Sequence, residues 1–367
     1  MNNINQKLNF SGFKYEAVVA KCRCLYGKLL DANDYENLLK FAEVSEIAAY
    51  LHDNTAYYEF LKESDKRHIN RNKLEYYIKK SLLHDYLKIY KFTHGGQRHF
   101  INLMMAKYEF EYILKVWREY VWRNTENNAV IKENDDYLLS EGLLEIQTIY
   151  QNSPRINLDA LKNIKTVEQF MDAIKNSDYF YIFEKHINED ISKNYTVVET
   201  AVYDEYYKNL YEGAAVFEKD ICGRIRESIA TEADLKNLCR ISRLIFNFKT
   251  PPSEIIPLLV PLHYKLKESN VKDLLKSSDR EDFYVYCEHQ LYYGKKQSFY
   301  EYESLTDYMN DYLFKYYKSK MTLTPPGFDV IFRYFHMKEI EIRNLFYLIE
   351  GIRYRMSPDE IRKHVRV

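Results

Sequence analysis

Glycine and proline are scarce, at 10 and 8 among 367 residues. These two residues supply the commonest helix stops, so their rarity favours helix nearly everywhere. Positive charge is not in excess either. Lys and Arg total 53 against 54 Asp and Glu, a formal net charge of -1. A nucleic-acid binder draws affinity from a basic surplus that displaces counterions, so nucleic acid is not an expected partner. Long apolar runs are missing: nothing approaches the roughly 20 residues of a membrane-spanning helix. The longest candidate, Ile255 to Leu262, is short and carries Pro257 and Pro261. The opening MNNINQKLNF lacks the basic-then-apolar layout of a secretory signal. A cytoplasmic protein without a direct membrane span is expected, one able to sit on a membrane complex.

Motifs that carry chemistry are missing as well. The Gly27-Lys28 pair is followed by Leu29 instead of Ser or Thr, which breaks a phosphate loop. Neither GxSxG nor HExxH occurs. HGGQRH, from His94 to His99, has glycine and basic groups that suit an anion, but no strand precedes it, so it reads as a helix–helix turn. Five cysteines stand at 22, 24, 222, 239 and 287. Cys22 and Cys24 are two apart, as are Cys287 and His289, and residues two apart on a helix face different ways. Without a CxxC or HxxxH pair they read as reduced, helix-packing thiols and not as a zinc site. Glu339 and Glu341 fail as an acid/base pair for the same geometric reason. Ser357-Pro358-Asp359-Glu360 reads as a capping box opening a last short helix. No catalytic, cofactor-binding or metal-ligating residue is assigned, and no cofactor.

The chain is 46% apolar, enough to bury a sizeable core, and 29% charged. Its 36 tyrosines read as half-buried filler whose hydroxyls stay wet. The informative feature is repetition. HMKEIEIRNLFYLIEG (336–351) has weaker copies in MAKYEFEYILKVWREY (105–120) and IATEADLKNLCRISRL (229–244). One acid anchors each copy: Glu109, Asp234 and Glu341. One residue on stand Phe110, Leu235 and Ile342; four on, Ile113, Leu238 and Leu345; seven on, Val116, Ile241 and Leu348; eleven on, Tyr120, Ile245 and Ile352. These offsets trace one buried stripe of an α-helix, with Tyr112, Asn237 and Asn344 at its edge. The acids read as local partners flanking the stripe.

A second set, HDYLK, DEYYK and NDYLFK, centres on Asp85, Glu205 and Asp311, in the same order and at similar spacings. Phe170, Ile174, Phe180 and Phe183 follow Ile47, Leu51, Tyr57 and Phe60 at a constant 123 residues. RNTENNAVIKENDD (123–136) is polar and reads as a linker, and TPPSEIIPLLVP as a second break. The expected architecture is all-α, with three homologous helical modules at 12–125, 137–250 and 253–367. The start of the third is the least clear.

YEAVVAKCRCLYGKLL (15–30), SEIAAYLHDNTAYYEFL (45–61) and the C-terminal block with KEIEIRN and MSPDEI resemble the C subunit of V-type (A-type) ATPases, the counterpart of the eukaryotic d subunit. The likeness covers nearly the whole chain. It implies three modules around a pseudo-threefold axis in a funnel. It also implies a non-catalytic rotor subunit that couples the central shaft, subunits D and F, to the membrane proteolipid ring. ATP hydrolysis in the head is thereby linked to proton or sodium transport, or the reverse in synthesis. A peripheral place on the cytoplasmic face is implied too. No motif of the resemblance marks a residue of the partner interface, which stays unassigned. Two rival readings are a free-standing helical-repeat scaffold and a helical enzyme using His94, His99 and nearby acids.

Overall fold

The computed structural model describes residues 15–62, 69–125, 155–187, 191–291, 299–323, 325 and 327–367. Among these residues every regular element is a helix, and the fold class is all-α. The elements used below are α1 (Glu16–Tyr26), α2 (Ala32–Leu38), α3 (Val44–Asn54), α4 (Tyr58–Leu61), α5 (Arg71–Tyr90) and α6 (Gly96–Thr125). They continue with α7 (Leu158–Leu161), α8 (Val167–Ile174), α9 (Phe180–His186), α10 (Ile191–Gly213) and α11 (Lys219–Ser242). The last are α12 (Pro252–Ile255), α13 (Glu268–Leu274), α14 (Arg280–Gln290), α15 (Leu305–Leu323), α16 (Asp329–Arg353) and α17 (Pro358–His364). The linker and the N-terminal decapeptide fall mostly or wholly outside the described residues.

Short helices start where polar side chains stop the backbone from running on. Asp31, Thr166 and Asp279 cap α2, α8 and α14, each accepting the amide three residues ahead. Glu43, Thr166 and Asp279 also stand in a common relation to the apolar positions after them. Four and eight residues on are Ile47 and Leu51, Phe170 and Ile174, Phe283 and Cys287, all six buried. Phe283 and Cys287 thus stand in the same relation to their cap as Ile47 and Leu51, and Cys287 is core.

The 123-residue correspondence slips by one after its first helix. Tyr57 and Leu61 are buried, and so are Tyr179 and Phe183, each 122 residues on, whereas Phe60 and Phe180 are only partly buried. The turn chemistry agrees: the Tyr57 amide donates to Thr55 Oγ1 and the Tyr179 amide to Ser177 Oγ, both at 3.2 Å.

Long helices form three hairpins, α5–α6, α10–α11 and α15–α16. The first turn holds HGGQRH, where Gly95 takes φ of 51°, a conformation that costs a glycine little. Across hairpins, α6 packs on α10, α11 on α15, and α16 back on α5, so the order of packing closes on itself. The second helices of the hairpins carry the expected stripe. At the first three offsets all nine side chains are buried; at the last, Ile352 is buried while Tyr120 and Ile245 are half-buried.

The three hairpin tips meet on aromatic rings. Phe217 stacks on Phe328 at 4.4 Å between centroids, and Phe100 meets Phe217 edge-on at 5.2 Å. Tyr15, at the start of α1, packs on Phe217 and Phe328 and donates its hydroxyl to Glu218 at 2.6 Å. Beside this cluster Arg224 makes a fork to Asp329, both contacts 3.0 Å, and the fully buried Arg333 also donates to Asp329. At the far ends, Lys249 and Arg355 have φ of 51° and 56°, terminating the runs through α11 and α16 in the left-handed conformation. Ser357 caps α17 in the expected box with Glu360. Ile361 then seats α17 on Gly351, where a Cβ would come within 2.6 Å of it.

Candidate partner interface

The anchoring acids do not merely flank the stripe; they are buried with it. Glu109, Asp234 and Glu341 are 5%, 0% and 4% exposed. Asp234 accepts the amides of Tyr264, Lys265 and Leu266 at 3.2, 2.7 and 3.0 Å, just ahead of α13. Glu341 accepts the Leu30 amide at 2.5 Å, just ahead of α2, with the Tyr57 hydroxyl at 2.8 Å and Lys338 at 2.7 Å. Glu109 meets Ser177 Oγ at 3.4 Å, in the turn before α9. Each acid thus reaches from the second helix of one hairpin to the short helices that precede the next, and for Glu341 the next is the beginning of the chain. A carboxylate satisfying backbone amides at helix entries gains charge-assisted bonds that a surface pair would not.

The stripe-edge residues have the same kind of work. Asn237 bonds both the amide and carbonyl of Val260 at 2.9 Å. Asn344 bonds the carbonyl and amide of Arg366 at 2.7 and 3.1 Å. Both asparagines are buried, not at an edge, because each clamps an extended segment onto its helix.

Two residues before the anchors stand Lys107, Glu232 and Glu339; two after stand Glu111, Lys236 and Arg343. Positions four apart share a helix face, and these faces look toward one another. Lys107 pairs with Glu339 at 2.8 Å, joining α6 to α16. His336 Nε2 lies 3.6 Å from Glu232, joining α16 to α11. Lys236 sits over the rings of Tyr203 and Tyr207, and Tyr203 donates to Glu111 at 3.2 Å. In the inner layer the side chains keep only 11–17% of their surface exposed. Lys236 keeps 31%, and Arg343 is exposed. A narrow cleft lined by these charges therefore runs between the second helices, closed at the tips by the aromatic cluster, its side chains more exposed one turn away from them.

Electrostatics in the cleft are mutual. Burial pushes the Glu339 carboxyl up, but Lys107, His336 and hydrogen bonds from Lys107 and Tyr108 hold it down at about 2. Burial works against the charge of Lys107, yet Glu339, Glu111 and Glu232 raise its pKa overall. Burial lowers the pKa of His336 despite the opposing pull of Glu232 and Glu339. Such a set binds, orients and repels charged groups; among the described residues no cluster of His, Cys, Asp and Glu could hold a metal ion.

From the sequence, Glu339 is set aside as half of an acid/base pair with Glu341 and given no other place. It lines the cleft instead, because the flank two residues from each anchor turns inward between the hairpins. The signal is present in the sequence: each copy pairs a charge two before the anchor with one two after. His94 and His99 are exposed on the α5–α6 turn. All five cysteines are free thiols; Cys22, Cys222 and Cys287 are buried, Cys239 is half-buried, and Cys24 is exposed and so is no packing residue. No described helix is long and apolar enough to cross a membrane.

A 23% identical relative from Methanocaldococcus jannaschii, the C subunit of an A-type ATP synthase, aligns over 363 residues, covering 95% of this chain and 85% of its own. Proteins of the same name from Methanosarcina mazei and Methanosarcina acetivorans are 21% and 23% identical, covering 69% and 71% of this chain and 65% and 67% of theirs. The family model for the ATP synthase (C/AC39) subunit matches residues 18–364, from α1 through the end of α17 and across every anchor and cleft residue. The chain belongs to the ATP synthase (C/AC39) subunit family.

Proposed function

We propose that this chain is a non-catalytic rotor subunit of a rotary V-type (A-type) ATPase. In this reading it joins the central shaft, subunits D and F, to the membrane proteolipid ring, as a peripheral subunit on the cytoplasmic face. Its modules at 12–125, 137–250 and 253–367 surround a pseudo-threefold axis as a funnel. The observation that carries the reading, together with family membership, is the closed order of hairpin contacts, α6 on α10, α11 on α15 and α16 on α5. A torque coupler has to resist twist. Helices packed in a closed order spread a load over every joint, whereas an open solenoid ends in repeats without a neighbour. The closed order therefore weighs against a free-standing repeat scaffold.

The test is purification from solubilised membranes by a tag on this chain. Head, shaft and ring subunits of an ATPase should elute together with it. Recovery as a cytosolic monomer, or with an unrelated partner, overturns the reading.

A further inference from the structure

A second concavity shares no side chain with the charged cleft. It lies between α9 and α10, is bordered by Pro261, and has a volume of about 300 Å³. That size stands at the lower end for small-molecule sites. Two helix faces make it. On α10, positions 201, 204, 205 and 208 stand three and four residues apart and so share a face. On α9, Lys185 follows Tyr181 by one turn, and His186 follows Ile182.

The groove holds charges of both signs. Asp204 belongs to the α10 face, and its Oδ1 is buried without a hydrogen-bond partner. Burial pushes this carboxyl up to about 7, and Arg240 on α11 opposes the rise only in part. Arg240 donates to the Leu258 carbonyl instead. Glu205, the neighbouring acid, takes the Tyr181 hydroxyl. Lys185 and Lys208 are exposed, and neither has an acid partner among the described residues. Lys208 follows Asp204 by four, the favourable order for a helix-surface pair. The two make no such pair, since Oδ1 is buried while Lys208 stays in solvent. A buried acceptor without a donor destabilises a fold unless something supplies one.

We propose that this groove binds a free α-amino acid or dipeptide with an apolar side chain. The ligand ammonium sits against Asp204, and its carboxylate is held by Lys185 and Lys208 at the rim. Its side chain lies on Ile182, Ala201 and Pro261 beside the half-exposed Tyr181 ring. Charge complementarity selects this class. A simple cation is repelled by the two lysines and a simple anion by Asp204, whereas a zwitterion satisfies both. The site is independent of the rotor reading.

The experiment is calorimetry on the full chain with L-leucine, L-phenylalanine and L-leucylglycine. At least one should bind saturably with a Kd at or below about 10 mM. N-acetyl-leucine lacks the ammonium and leucinamide lacks the carboxylate; each should bind at least about tenfold more weakly than leucine. Asp204→Asn should lose leucine binding by a similar factor while keeping its melting temperature, so that lost binding is not lost fold. Lys185→Ala with Lys208→Ala should weaken leucine and leave leucinamide unchanged. Leucine affinity should rise from pH 5.5 to 7.5, because only the ionised Asp204 attracts an ammonium. The charged and titratable groups facing it are Lys185 and His186 from α9, Glu205 and Lys208 from α10, and Arg240 from α11. The rise should vanish in Asp204→Asn and persist in His186→Gln. A rise that survives Asp204→Asn, equal binding of N-acetyl-leucine, or no binding of any of the three probes overturns the proposal.

Discussion

Glu109 is the anchor with the weakest company. Burial pushes its carboxyl up to about 7; Asp178 adds to the rise, and Arg155 and Ser177 only partly oppose it. A group whose folded pKa lies above its unfolded value of 4.5 holds its proton more tightly in the fold. Its ionisation therefore costs nothing below about pH 4.5, costs progressively more up to pH 7, and costs most above that, to a ceiling of about 3 kcal/mol. Glu109→Gln should raise unfolding free energy at pH 8 by about 1–3 kcal/mol and flatten its fall between about pH 5 and 7. Urea titrations across that range check it, and an unchanged slope rejects it. Asp234 and Glu341 differ because backbone amides reach them directly. The sequence shows three acids in register. Which of them finds amides depends on loops far along the chain or at its opposite end, and no local pattern encodes that.

Helix positions were the most legible part. The apolar stripe appears in the sequence because a helix buried on one side must repeat its apolar residues at that spacing. Leu345 is fully buried in α16, so Leu345→Ala should cost about 2–5 kcal/mol, read as a lowered denaturation midpoint. Helix ends were less legible. Arg355 takes a left-handed φ of 56° without being glycine, and the Met356 amide then returns to the Gly351 carbonyl at 2.9 Å. Arg355→Gly should stabilise by about 0.5–1 kcal/mol, since the strain on a Cβ outweighs the extra backbone freedom of glycine at such a site. A lowered melting temperature would refute this. The short helices around 268–290 escaped the sequence comparison because Cys287 stands where Leu51 and Ile174 do. Spacing survives there and chemistry does not.

At the scale of the whole molecule, first and last segments are neighbours. Glu341 holds Leu30 and Tyr57, α1 lies on α16, and α16 packs on α5. Removing residues 329–367 should therefore expose the chain from 15 to 90 to hydrogen exchange and protease, although none of it is deleted. Retained protection there would mean that the first hairpin folds alone. Sequence repetition announces three similar parts; it does not announce that the last embraces the first, since closure is a property of crossing angles between helices. The central charges have a mechanical corollary. Lys107 stands near Glu339 and Glu232, and Glu111, one turn on, near Lys236. If α6 slid one turn, about 5.4 Å, Glu111 would stand beside Glu232 and Glu339, three like charges in a half-dry space. The layers are thus a detent: a load along α6 meets a steep electrostatic stop before the helix can slip a notch.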